Sequence, residues 1–173
     1  MNDEDEAVGA WQGPAAFATF IYDNGVVSFL PGIYNTIQAL DINNRNEIVG
    51  SLLPFNGGFS HAFLYSNGRF LDLGTLGTGG SSVATGINNS GQIIGVATTA
   101  LGSSRGFLYR NGRMQDIGAF FPFKINDHGQ VVGSSFATNP HAILYAAGLL
   151  RVLGRSPAQT SVLRMRSITE RKS

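Results

Sequence analysis

The chain has 173 residues, 43% of them apolar and none of them cysteine, which fits one ordinary globular domain and excludes disulfides, thiolate metal sites and cysteine nucleophiles. Only 13% of residues are charged while 23 are glycine, a balance that favours short strands and tight turns over helices. The net charge of +1 hides an asymmetry. Asp3, Glu4, Asp5 and Glu6 crowd the start, and Arg151, Arg155, Arg164, Arg166, Arg171 and Lys172 face only Glu170 at the end. That basic tail lacks interleaved aromatic residues, so it is expected to be solvated or strand-paired rather than a nucleic-acid contact.

The acidic start has neither a basic nor an apolar signal region, and no later apolar run reaches membrane-span length. The sequence as read therefore carries no export signal or anchor. Residues 1–9 fit the register of a motif that returns later. Setting Gly9 on Gly50 places Asn2 on Asn43, Glu6 on Glu47 and Ala7-Val8 on Ile48-Val49. The chain is thus expected to begin inside a repeat.

Phe20-Ile21-Tyr22-Asp23-Asn24-Gly25 is the first of four copies of one pattern. The others are Phe63-Leu64-Tyr65-Ser66-Asn67-Gly68, Phe107-Leu108-Tyr109-Arg110-Asn111-Gly112 and Ile143-Leu144-Tyr145-Ala146-Ala147-Gly148. The spacings between their tyrosines are 43, 44 and 36 residues. A period near 40 signals a repeat architecture whose units bury their apolar faces against one another. Side chains alternate across a strand, so Phe63 and Tyr65 share one face while Ala62 and Leu64 share the other, and cover is needed on both sides. Asn24-Gly25, Asn67-Gly68 and Asn111-Gly112 predict hairpin turns.

A second motif interleaves with the first. It runs from Ile42 to Gly50, from Ile87 to Gly95 and from Ile125 to Gly133, each copy a strand end, a polar turn and a β-branched strand. Asn46 replaces glycine at the turn of the first copy, and asparagine is the next-best residue for a left-handed position. Four strands per period follow, exemplified by Ser82–Asn88, Gln92–Thr98, His61–Ser66 and Phe70–Leu73. The expected units are a partial one from Ala7, then Ile37–Gly74, Val83–Gly118 and Phe123–Gly154. Ser161–Ile168 alternates well enough to supply the strand that the first unit lacks, which would set Arg164 and Arg166 near the acidic start.

His61-Ala62-Phe63-Leu64-Tyr65, Asp72-Leu73-Gly74-Thr75-Leu76-Gly77 and Gly86–Gly95, three submotifs in fixed order, resemble the HAF-repeat family across about residues 7–154. The resemblance implies a bacterial repeat protein classed as extracellular or cell-surface, with no assigned activity. The chain departs from that pattern at Ala18 and Arg105, where the histidine is absent, and at Phe29-Leu30-Pro31 and Val152-Leu153-Gly154, where the Asp-Leu-Gly stretch is replaced.

Candidate chemistry is sparse. His61 and His141 share one repeat position, so they should sit on different units and not converge on a metal; His128 belongs to a turn. Asp41–Glu47 and Asn126–Gly129 are oxygen-rich like calcium loops, but their spacing matches poorly and Asn88–Gly91 has no carboxylate. No acid, base or nucleophile group stands out, and Gly80-Ser81-Ser82 and Gly102-Ser103-Ser104 look like loops. Trp11, Phe55, Phe59, Phe120, Phe121 and Phe123 lie partly outside the repeat cores, and packing is the better expectation for most of them.

The reading is an all-β, propeller-like domain of about four small antiparallel units over residues 1–154, or alternatively a partial, open array, with 155–173 a closing strand or a disordered tail. The repeat-defining structural positions are Tyr22, Gly25, Gly50, Phe63, Tyr65, Gly68, Gly95, Phe107, Tyr109, Gly112, Gly133 and Tyr145. No catalytic, cofactor or metal residues are assigned. The expected role is a non-catalytic binding or structural module, with a glycan or protein surface as partner and neither nucleic acid nor a membrane span. A polysaccharide hydrolase, which needs a converging carboxylate pair, and a truncated fragment without independent activity are the rivals.

Overall fold

The computed structural model describes residues 1–12, 17–31, 36–54, 57–153 and 162–164. It is all-β, with four small antiparallel sheets in sequence order. The first holds β1 (Ala7–Gln12), β2 (Phe17–Asp23) and β3 (Val26–Phe29). The second holds β4 (Thr36–Ile42), β5 (Ile48–Leu53), β6 (His61–Ser66) and β7 (Arg69–Gly74). The third holds β8 (Ser82–Ile87), β9 (Ile93–Thr98), β10 (Ser104–Arg110) and β11 (Arg113–Gly118). The fourth holds β12 (Phe120–Ile125), β13 (Val131–Ser135), β14 (Ala142–Ala146), β15 (Leu149–Val152) and β16 (Val162–Arg164). Each sheet is a meander, so one repeat unit is one sheet. Among the described residues the sheets form no closed propeller.

The predicted closing strand behaves differently from expectation. Val162–Arg164 pairs antiparallel with β15, Leu149 opposite Arg164, and so extends the fourth sheet instead of completing the first. The open edge of β15 was the nearer template, and pairing with it closes a short connection rather than one spanning the whole array. The remainder of Ser161–Ile168 lies outside the described residues, as do most of 155–173.

Packing between successive sheets supplies the core. Phe63 from the second sheet, with Tyr65 and Phe70 alongside, packs toward Val8, Ile21 and Leu30 of the first. Ala62, Leu64, Val49 and Leu73 turn the other way, against Ala84, Ile93, Ala97 and Phe107 of the third. Ile94, Leu108 and Ile117 then meet Phe120, Val131, Ile143 and Tyr145 of the fourth. The alternation expected for β6 thus holds residue by residue, because each middle sheet is covered on both faces.

Two backbone devices recur in every full unit. The first strand of the sheet carries a bulge, between Ala39 and Asp41, between Ala84 and Gly86, and between Pro122 and Lys124. Opposite the bulge, on the second strand, stand Gly50, Gly95 and Gly133, where an added Cβ would overlap the carbonyl oxygens of Gln38, Val83 and Phe121 respectively. Close backbone approach therefore fixes these glycines. At the hairpin tips, Asn24-Gly25, Asn67-Gly68 and Asn111-Gly112 have positive φ at both residues, as the tight turn demands. Tyr109 and Phe107 follow the same alternation as Tyr65 and Phe63, on the face toward the preceding sheet.

Candidate functional site

In a four-stranded meander, the first and third connections leave one end and the others leave the opposite end. The Asn-rich turns and the Asn-Gly hairpins share the first end. There each turn is built identically. Asn88 Oδ1 accepts from the backbone N–H of Ser90 at 3.1 Å and of Gln92 at 2.9 Å, while its Nδ2 donates to Gln92 Oε1 at 2.8 Å. Asn43 repeats this with Arg45, Glu47 and Glu47 Oε2, and Asn126 with His128, Gln130 and Gln130 Oε1. Asn2 does the same with Glu4, Glu6 and the Glu6 carboxylate, as the alignment of Gly9 on Gly50 requires. The left-handed position of each turn falls on Asp5, Asn46, Gly91 and Gly129.

These turns are also coupled from sheet to sheet, which their spacing does not reveal. Asn2 Nδ2 donates to the Asn43 carbonyl at 3.1 Å, Asn43 Nδ2 to the Asn88 carbonyl at 3.0 Å, and Asn88 Nδ2 to the Asn126 carbonyl at 3.0 Å. A parallel row follows one residue on. The Asp3 N–H donates to Asn44 Oδ1 at 3.0 Å, the Asn44 N–H to Asn89 Oδ1 at 3.0 Å, and the Asn89 N–H to Asp127 Oδ1 at 2.8 Å. Asn43 and Asn88 are buried, so the first row is largely withdrawn from competing water, whereas the second row runs along the surface. The result is a ladder of asparagines that clasps all four sheets together.

Other polar groups are spent on the same task. Asp41 Oδ2 accepts from the Ile87 N–H at 3.1 Å, and its Oδ1 lies 3.6 Å from Lys124 Nζ, so it ties the second sheet to the third and reaches the fourth. Thr19 Oγ1 donates to the Ile37 carbonyl and Thr85 Oγ1 to the Pro122 carbonyl at 2.9 Å, one hydroxyl clasp for each of two interfaces. Ser82, expected at the start of a strand though flanked by a glycine-rich loop, does start β8 and is buried: it accepts from the Ala62 N–H at 2.8 Å and donates to the Gly74 carbonyl. It occupies the position of Ile37 and Phe120, so a hydroxyl clasp stands where the other units bury an apolar side chain.

The histidine of the His61-Ala62-Phe63 triplet has a local role. His61 Nδ1 lies 2.8 Å from Asp72 Oδ2, and at the equivalent place Arg105 Nε lies 3.0 Å from Asp116 Oδ2. Each aspartate also accepts from a backbone N–H two residues on, Gly74 or Gly118, at 2.8 Å. Arginine therefore replaces histidine without losing the partner. His141 and His128 lie on the fourth sheet's connections. Among the described residues there is no group of three or more His, Asp or Glu side chains placed to hold a metal. Asp41 to Glu47, oxygen-rich in sequence, gives its oxygens to Ile87, Asn43 and Arg45. Burial pushes the Tyr145 phenol above its ordinary value, with Arg110 pulling the other way.

The opposite end is different in kind. Loops there, among them residues 57–60, 99–103 and 136–141, share no motif, and each of these three exposes an apolar side chain: Phe59, Leu101 and Phe136. Of the described aromatic residues singled out from sequence, only Phe120 is core. Trp11, Phe59, Phe121 and Phe123 are exposed, against the expectation of packing, and Phe55 lies outside the described residues. Trp11 stands edge-on to Phe29, with ring centres 6.3 Å apart, and Phe121 tilts against Phe123 at 5.5 Å. Among the described residues no helix is long and apolar enough to cross a membrane. Compared with known proteins, the chain matches no family model and no curated sequence.

Proposed function

We propose that this chain is a non-catalytic binding or structural repeat module that acts at or beyond the bacterial cell surface, its ligand a glycan or a protein surface. One observation carries this reading. The recurring asparagines, glycines and His/Arg–Asp pairs are all occupied in building or joining sheets, whereas sequence variation and exposed apolar side chains meet at the loop end, on Phe59, Leu101 and Phe136. Loops carried on a rigid scaffold are where binding surfaces arise. The HAF-like submotifs support the surface location.

The finer architecture in this proposal is propeller-like, with sheets as blades fanned about the inner strands β4, β8 and β12. The reach of Asp41 from the second sheet to Lys124 on the fourth supports such a curve. The test is a screen of the purified chain against glycans and surface proteins. Saturable binding should disappear in a Phe59→Ser, Leu101→Ser, Phe136→Ser variant that melts like the parent. Polysaccharide cleavage that Asp72→Asn or Asp116→Asn abolishes would overturn the reading in favour of a hydrolase.

A further inference from the structure

The three internal interfaces use one set of positions, and among the described residues both outermost faces of the stack display members of that set exposed. Val49 and Ile94 are fully buried where the fourth sheet has Val132, 44% exposed. Leu30, Leu73 and Ile117 are buried where the fourth sheet has Leu153, 41% exposed. On the outer face of the first sheet, Trp11 occupies the position at which Leu52 and Ala97 are buried, yet it is 50% exposed. Tyr22 and Val27 beside it are exposed, whereas their equivalents Tyr145 and Leu150 pack against the third sheet. Among the described residues, no buried hydrophobic cluster joins the first sheet to the fourth.

The asparagine ladder gives these faces a direction. At the fourth sheet, the Asp127 N–H and the second amide hydrogen of Asn126 have no partner among the described residues. At the first sheet, the Asn2 carbonyl accepts no bond among the described residues, although the carbonyls of Asn43, Asn88 and Asn126 each accept from the preceding asparagine. Spare donors lie at one end and a spare acceptor at the other.

We propose that a second copy of this chain covers these faces head to tail, the fourth sheet of one copy seated on the first sheet of the next. The contact continues the interface already repeated three times within the chain. Val132, Leu153 and the Phe121–Phe123 pair meet Trp11, Tyr22 and Val27, and Asn126 and Asp127 donate to Asn2 and Asp3. A two-fold pairing of like faces would set donors against donors, so the association is heterologous; it closes into a ring or grows as a filament according to the rotation per copy. It uses the outer faces of the stack and does not depend on the loop-end binding proposed above.

Sedimentation velocity from micromolar to near-millimolar concentration tests this with two charge substitutions at exposed positions, Val132→Glu on the tail and Val27→Glu on the head. The parent should rise with concentration to at least twice the mass of one chain, and each variant alone should stay at one chain with unchanged circular dichroism. Mixing the two variants leaves one intact head and one intact tail, and should give a species capped at two chains. A parent that stays at one chain at every concentration, a variant that associates like the parent, or a mixture that remains at one chain overturns the proposal.

Discussion

Replacing Asn88 by alanine removes four hydrogen bonds of 2.8 to 3.1 Å from a buried side chain: two accepted from Ser90 and Gln92, one donated to Gln92 and one donated across the interface to Asn126. A net contribution of about 0.5–1.5 kcal/mol per bond puts the loss from these four bonds at about 2–6 kcal/mol, the upper part applying where the Gln92 N–H is left without a partner. Asn126 makes the same three bonds within its turn but donates to no neighbouring sheet, and it is exposed. Asn126→Ala should therefore cost about 1 kcal/mol, since water replaces the lost partners. Urea unfolding followed by circular dichroism measures both. A gap of roughly 1–5 kcal/mol between the two variants is the value of the cross-sheet step and of burial. Because stability in a repeat array is a sum of unit and nearest-neighbour terms, Asn88→Ala should also broaden or split the transition. Equal losses in the two variants would refute the view that the turn joins sheets rather than merely closing its own hairpin.

Gly95→Ala should be severely destabilising, by about 3 kcal/mol or more, because its Cβ would overlap the Val83 carbonyl and stand 2.7 Å from Phe107 Cε1; thermal melting reads this out. Ala147 holds a left-handed conformation at φ 51, where the other three hairpins place asparagine. Ala147→Asn should accordingly raise stability by about 0.5–1 kcal/mol in urea titration. His61→Arg copies the Arg105–Asp116 pair at a partly exposed site, and its melting should stay within about 0.5 kcal/mol of the parent.

What could be read from the sequence was whatever rests on local chemistry and period. The Asn-Gly hairpins, the left-handed Asn46, the opposed faces of β6 and the placing of Asn2 on Asn43 all follow from residue type and spacing, and the structure has them. What could not be read depends on which groups meet across a boundary between units. The carbonyl that Asn88 reaches is 38 residues away, and nothing in an Asn-Asn pair distinguishes a self-contained turn from a rung of a ladder. The strand start at Ser82 was legible, but the clasp its hydroxyl makes between Ala62 and Gly74 was not, for the same reason. Trp11, Phe121 and Phe123 were expected to pack because their residue types favour burial, but they sit on the outermost faces, where the stack provides no further sheet. Of the loop-end residues Phe59, Leu101 and Phe136, Phe59 alone stood out in the sequence, because no motif links those loops. Only the meander's alternation of ends brings them together.

If the repeating asparagine turns carry one sheet to the next, amide hydrogen exchange resolved by residue should show it. The backbone N–H groups of Asn44 and Asn89 sit in surface turns yet donate to Asn89 Oδ1 and Asp127 Oδ1, so they should exchange slowly, while the Asp127 N–H, in the equivalent turn with no sheet beyond it, should exchange fast in dilute solution. Uniformly fast exchange at all three amides would contradict the account.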